Sequence, residues 1–248
     1  MKIRQATGTA AVSLTALLML AACGGNGDDG ATPPGSGSTN GSETASADGG
    51  GDSAVYDEIA SWEDPCEVLG GVYSDLTESL RAASVGEEFV SGPIGVGNPT
   101  DAAKCSNQVV WSEETADNPG SARGYVDLWV LPKSSEEEAS TRYAELEADA
   151  REQYGEEFAE QEVTGWDEGI LFLGDYGVRD AFKVFVRDGS YLIAITLETG
   201  SYLVADSAGN KADYTVEEAR DYLLDEALPG VQSVVNERLE AAGVSTGE

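Results

Sequence analysis

Three cysteines, no histidine and 46 carboxylates against 14 lysines and arginines make up the reactive inventory of this 248-residue chain. Without imidazole there is no usual general base, no serine or cysteine triad that depends on one, and no zinc site with a histidine ligand. The Ser-x-x-Lys nucleophile is missing too, because no lysine has a serine three residues before it. Paired carboxylates remain, and these act on glycans when they lie roughly 5 to 9 Å apart. With 41 acids beyond residue 54, such pairs arise by chance, so the sequence singles out none. A carboxylate hydrolase acting on cell-wall glycan therefore stands as an alternative, with a non-catalytic protein as the main expectation. No cofactor is indicated.

The cysteines say more. Lys2 and Arg4 precede an apolar run from about Ala10 to Leu20, too short for a permanent membrane helix and suited to export. Leu20, Ala21, Ala22 and Cys23 close it and resemble the bacterial lipobox, in which the cysteine thiol takes a diacylglyceryl group and becomes the first residue after cleavage. The expectation is a lipoprotein signal peptide over 1–22 and a membrane partner reached through lipid on Cys23. Two acyl chains make such attachment lasting, at about 0.8 kcal/mol per buried methylene. The chain would then stand on the outer face of the cytoplasmic membrane. Residues 24–54 hold ten glycines in 31 positions, with no aromatic side chain and no base. Such a segment cannot offset its ordering entropy by burial, so 23–54 reads as a tether with a reach of about 30 Å.

Cys66 and Cys105 remain after lipidation, and in an exported protein their simplest fate is a disulfide closing a loop of about 39 residues. The rival is a reactive thiol pair, although redox sites usually place their cysteines two residues apart.

The net charge of −32 excludes a nucleic-acid partner, since 14 scattered cations give no basic face. For metals, Asp206, Asn210 and Glu217 stand at positions one, five and twelve of a calcium-loop spacing. Ala208 and Lys211 occur where an oxygen ligand and a glycine belong. The expectation is a polar connection there, with diffuse association of divalent cations on the acidic surface as a further alternative function. The scarcity of lysine beside so many acids also resembles proteins that work in high salt.

These residues need elements to hold them, and 55–248 reads as one domain. Asp64 as N-cap, Pro65 at the first helical position and Glu67 predict a helix that breaks at Gly70 and Gly71 and resumes over 74–83. A Gly/Pro-rich connection follows over 86–100. Strands are predicted at 108–112 and 125–130, with Val126, Leu128 and Val130 sharing a core face. Ser134 and Glu137 open an amphipathic helix whose stripe is Ala139, Tyr143, Leu146, Ala150 and Tyr154. A third strand is predicted at 170–173. A hairpin of 181–187 with 190–198 turns at Asp188 and Gly189 as type I′, and a weaker strand is predicted at 202–205. Thr215 and Glu218 cap a final helical segment interrupted by Pro229. The sum is α+β: an antiparallel sheet of about five strands flanked by helices, with no structure before about Val55.

A lipobox, a low-complexity tether, Asp64-Pro65-Cys66 at a helix start and a second cysteine before a tryptophan-bearing strand resemble the actinobacterial lipoprotein families of unknown function that open with an Asp-Pro-Cys motif. Here five residues separate Cys105 from Trp111, more than in that pattern. Relatives with this element order are similar to the PsbP-like sandwich, which implies a binding or assembly role. Tyr125 and Trp129 lie opposite the core face of their strand, and Trp166 falls near a predicted turn, so these three are the candidates for a ligand groove. The expected function is a binding or accessory module of the bacterial envelope, with an envelope protein, a glycan or a small solute as partner.

Overall fold

The computed structural model describes residues 50–84, 89–97, 99–110, 123–154, 158–175, 180–198 and 214–244. Cys23, the signal segment, most of the tether, Trp111, the predicted turn at 118–120, Tyr176, the predicted strand at 202–205, Asp206 and Asn210 lie outside them. No helix among the described residues is long and apolar enough to cross a membrane.

The class is α+β. Helices α1 (Gly50–Ala60) and α2 (Pro65–Ser79) precede strands β1 (Ala83–Ser84), β2 (Val90–Gly92), β3 (Ala103–Val110) and β4 (Arg123–Pro132). Helix α3 (Glu136–Tyr154) leads to β5 (Phe158–Glu162), β6 (Glu168–Asp175), β7 (Asp180–Asp188) and β8 (Tyr191–Glu198). The chain ends in α4 (Val216–Tyr222), a π-helical turn (Leu223–Ala227) and α5 (Leu228–Ala241). All pairings are antiparallel, in the order β1-β3-β4-β8-β7-β6-β5, with β2 added to β3. Among the described residues the sheet thus has eight strands where about five were expected.

Two layers cover it. Helices α1, α2 and α5 pack on one face, burying Ile59, Leu69, Tyr73, Leu76, Val231 and Val235 against Leu128, Val184 and Ile195. Helix α3 packs on the other, where its stripe of Ala139, Tyr143, Leu146 and Ala150 meets Ile170, Phe172, Phe185 and Ala194. Strand β8, roofed on both sides, has no exposed alternate face, and Tyr191 through Leu197 are all buried.

Several local expectations change. Helix α1 starts at Gly50, so order begins before Val55. Helix α2 runs unbroken through Gly70 and Gly71. Each glycine costs a helix interior about 1 kcal/mol, which the burial of Leu69, Val72, Tyr73 and Leu76 beside them outweighs. Strand β3 begins at Ala103, so it contains Cys105, and β2 interrupts the Gly/Pro-rich connection. Helix α3 is capped one residue later than expected: Ser135 Oγ accepts from Glu138 N, while the Glu138 carboxylate accepts from Ser134 Oγ at 2.5 Å. Strand β5 was not anticipated, because Phe-Ala-Glu-Gln-Glu has no apolar alternation; it holds its place by backbone pairing and by Phe158, which packs on the α3 cluster over Gly174.

The central hairpin stands as expected, but its turn is shifted. Asp188 pairs with Tyr191, leaving Gly189 and Ser190 as the central residues. Only Gly189 has a positive φ, +55°, which is the demand of type II′ rather than type I′. The Thr215–Glu218 capping box is present on both sides. Downstream, Leu228 N–H reaches back five residues to Leu223 O, so the ladder takes its extra residue just before Pro229, which has no N–H to give.

Candidate functional site

The Asp-Pro-Cys segment is a structural clamp. The Asp64 carboxylate accepts from the N–H groups of Cys66, at 3.0 Å, and Glu67, at 3.2 Å, while Pro65 occupies the first turn of α2. Ser91 Oγ, from β2, donates to the same Asp64 oxygen at 2.6 Å. That hydroxyl, with the two backbone N–H groups, holds the Asp64 carboxyl below the usual carboxylate range against the opposing effect of burial. Cys66 is bonded to Cys105, with 4.7 Å between Cα atoms, and Cys105 pairs in register with Ser91. Helix α2 is therefore fastened to β2 by a hydrogen bond and to β3 by a covalent one. Cys66 and Cys105 are 8% and 0% exposed, a setting for a structural bond rather than for thiol exchange.

A different kind of surface lies on the α3 side of the sheet. Along β4, Tyr125, Asp127 and Trp129 point to that side, because Val126, Leu128 and Val130 are buried on the other. Register then aligns Ser106 of β3, Asp127 of β4, Thr196 of β8 and Lys183 of β7 in a single row across four strands. The next row holds Gln108, Tyr125 and Glu198. From neighbouring strand spacings of about 4.8 Å and a rise of about 3.3 Å per residue, the four-strand row spans about 14 Å and the two rows lie about 7 Å apart.

Its charges are half-buried. Burial raises the Asp127 carboxyl, in spite of a hydrogen bond from Ser106 and the nearby charges of Lys104 and Lys183. Burial likewise lowers the Lys183 ammonium, against the pull of Glu198, Asp127 and Asp149. Lys183 Nζ also lies 5.2 Å from the centre of the Phe185 ring. Lys104 runs across Gly92 and ends beside Gly97, where a Cβ at either position would overlap its stem. Gln108 Nε2 donates to Tyr125 Oη at 2.7 Å, which braces the ring at the rim.

Of the aromatic candidates, Tyr125 is exposed at 38%, Trp129 is half-buried against the α3 cluster, and Trp166 packs on the core of the opposite face. The structure thus brings Tyr125 and Trp129 together and places Trp166 elsewhere. The Trp129 Nε1 is buried and has no acceptor among the described residues. Glu217, the described member of the calcium-loop spacing, is an exposed first-turn residue of α4. Among the described residues, no three cysteine or carboxylate side chains gather as a metal site.

Asp127 and Lys183 were missed by sequence reasoning. The available signal was a charged residue inside each of two strongly apolar strands. A second polar spot, an open concavity of about 600 Å³ at the start of α3, includes Asp101, Lys133 and Arg142. Lys133 Nζ at 2.6 Å and Arg142 Nε at 3.0 Å both bond the Asp101 carboxylate. Burial works to raise that carboxyl, and the two cations hold it low nonetheless. Arg142 also bonds Glu145 at 3.0 Å, and together these contacts tie the segment before β3 to α3. Compared with known proteins, the chain matches no family model, and no curated protein matches it at a significant level.

Proposed function

We propose that the chain is a lipid-anchored binding or accessory module of the bacterial envelope, held through Cys23 on the outer face of the cytoplasmic membrane. The observation that carries this reading is the Cys66–Cys105 disulfide, which fastens α2 to β3 and belongs to an oxidising compartment outside the cytosol. The lipobox-like Leu20-Ala21-Ala22-Cys23 ahead of a glycine-rich tether supplies the anchor, and the Asp-Pro-Cys resemblance agrees with it. The test is the intact mass and detergent partitioning of the protein from membranes. A mass matching a chain that begins at acylated Cys23, and loss of detergent partitioning in Cys23→Ser, are expected. An unmodified Cys23 in a chain that still carries residues 1–22 would refute the anchor.

A second reading, the carboxylate hydrolase on cell-wall glycan, is favoured by one pair. Asp127 and Glu198 are diagonal neighbours across β4 and β8, a relation that sets Cα atoms about 7 to 8 Å apart, and burial favours the protonated form of Asp127 that a general acid needs. Release of reducing ends from a purified cell-wall glycan, abolished by Asp127→Asn and by Glu198→Gln in folded variants, is the result this reading requires.

A further inference from the structure

We propose that the loop joining β2 to β3 docks on a lipid surface, with Val90 and Val96 entering the headgroup region and the Lys104 stem lying beside them. This deepens the anchored reading and rests on it for a bilayer within reach.

Three observations lead there. The first is where exposed apolar surface gathers. Among the described residues six large apolar side chains are exposed, and three of them, Phe89, Val90 and Val96, fall within eight positions. Val90 and Val96, at 61% and 53%, are the two most exposed of the six. Apolar side chains scattered singly over a surface are ordinary, whereas a gathering of them marks a contact. The second is charge. The twelve residues from Phe89 to Thr100, between Glu88 and Asp101, carry no ionisable side chain in a chain whose net charge is −32. Asp101, at the end of that stretch, is paired with Lys133 and Arg142. An acidic domain meets a membrane at least cost through such a stretch, since carboxylates brought there would lose water and face anionic lipid.

The third is rigidity. Strand β2 has only three residues, yet Ser91 Oγ bonds Asp64 at the start of α2, and the register partner of Ser91 is the disulfide-bonded Cys105. The Phe89 ring meets Tyr73 of α2 edge to face, with centroids 4.7 Å apart. Within the loop, Gly95 N donates to Thr100 O at 2.7 Å and Val96 N to Pro93 O at 3.0 Å, and Gly95 and Gly97 take positive φ on either side of Val96. The Lys104 stem crosses Gly92, which shares a side of β2 with Val90, and brings Nζ beside Gly97. The tip that carries Val96 is thus shaped before contact, so little ordering is lost on docking.

The tether names the occupant. On the anchored reading, residues 23–49 end where α1 begins, at Gly50, and a glycine-rich coil of that length reaches about 30 Å. The loop then meets the bilayer at an effective concentration on the order of millimolar, enough for a few apolar side chains that would not hold a free protein there. A lysine stem along the apolar boundary, with its ammonium toward lipid phosphates, suits the same surface.

The experiment places a tryptophan at the tip, Val96→Trp, in the full chain held through Cys23 on vesicles of phosphatidylcholine and phosphatidylglycerol. Where mass analysis finds no lipid on Cys23, its thiol is coupled to a maleimide-bearing lipid. Brominated acyl chains are expected to quench at least half of the emission that Val96→Trp adds to the parent. They should quench less than a tenth of that added by Val216→Trp, at an exposed valine of α4. Adding Val90→Asp to Val96→Trp should cut the quenching at least fivefold, in variants that melt as the parent does. Equal quenching at the two valines, or none at the tip, overturns the docking. A blue-shifted but unquenched tip signal does so as well, since a protein surface would then cover the loop. An unlipidated Cys23 sinks the anchoring reading alone, because the coupled protein still decides whether the loop enters lipid.

Discussion

The two faces of the sheet are built to opposite specifications. One is closed by α1, α2 and α5 over a continuous apolar core and stapled by Cys66–Cys105. Among the described residues the other carries α3 alone, whose stripe covers Ile170, Phe172, Phe185 and Ala194 beside a polar row of the half-buried Ser106, Asp127 and Lys183 and the buried Thr196. Adjacent residues of β4 belong to the two regimes, with Leu128 fully buried on one side and Asp127 half-buried on the other. Stability is concentrated on the stapled face, and the α3 face retains ionisable groups that a chain selected for stability alone would have replaced by apolar ones.

Removing the staple should produce the largest effect. The double change Cys66→Ala with Cys105→Ala is expected to cost about 4 kcal/mol by loop entropy for this separation, read as a lower midpoint in denaturant unfolding. A midpoint within experimental scatter of the parent would show that α2 is held by its apolar contacts alone. Next comes the core itself: Leu128→Ala should cost about 3 kcal/mol, whereas Leu146→Ala in the smaller cluster under α3 should fall nearer 2 kcal/mol. Equal losses would erase the distinction between the faces.

Asp127→Asn should move the other way. The carboxyl is raised in the folded protein, so its ionisation opposes folding, a cost absent below the ordinary carboxylate range and present once pH has risen through its folded value. The variant is expected to melt no lower than the parent at pH 7 and to converge with it near pH 3, as followed by circular dichroism. A lower melting temperature at pH 7 would mean that the attraction to Lys183 outweighs the burial. The smallest effect belongs to Arg151→Ala. Its bonds to Glu147 at 2.8 Å and Glu160 at 2.9 Å lie at a side chain 47% exposed, and the loss should stay below about 1 kcal/mol and shrink further in salt.

What was legible in the sequence follows the same division. Period-two alternation assigned Val126, Leu128 and Val130 to the core, and steps of three and four assigned Ala139, Tyr143, Leu146 and Ala150 to the underside of α3, because burial on one side imposes a local pattern. The cap at Asp64 was legible for a similar reason, whereas its link to Ser91, 27 residues away, was not. The polar row was illegible because it is a matter of register. Asp127, Thr196 and Lys183 become neighbours only when β4, β8 and β7 pair, and no local spacing encodes that. Strand β5 escaped because an edge strand facing solvent needs no apolar face, and α2 was wrongly divided because two glycines weighed more in isolation than beside a buried wall.

Strand β5 has one more consequence. Among the described strands it borders the sheet with one row of backbone N–H and C=O groups unmatched, and Glu160 and Glu162 stand along it. Molecules confined to the same lipid plane meet far more often than molecules in bulk, which is the circumstance in which sheets polymerise edge to edge. On the proposed lipid-anchored reading, the acidic border, where Arg151 offsets the charge of Glu160 but Glu162 also stands, would make each copy repel the next and keep a densely populated membrane surface a population of separate molecules.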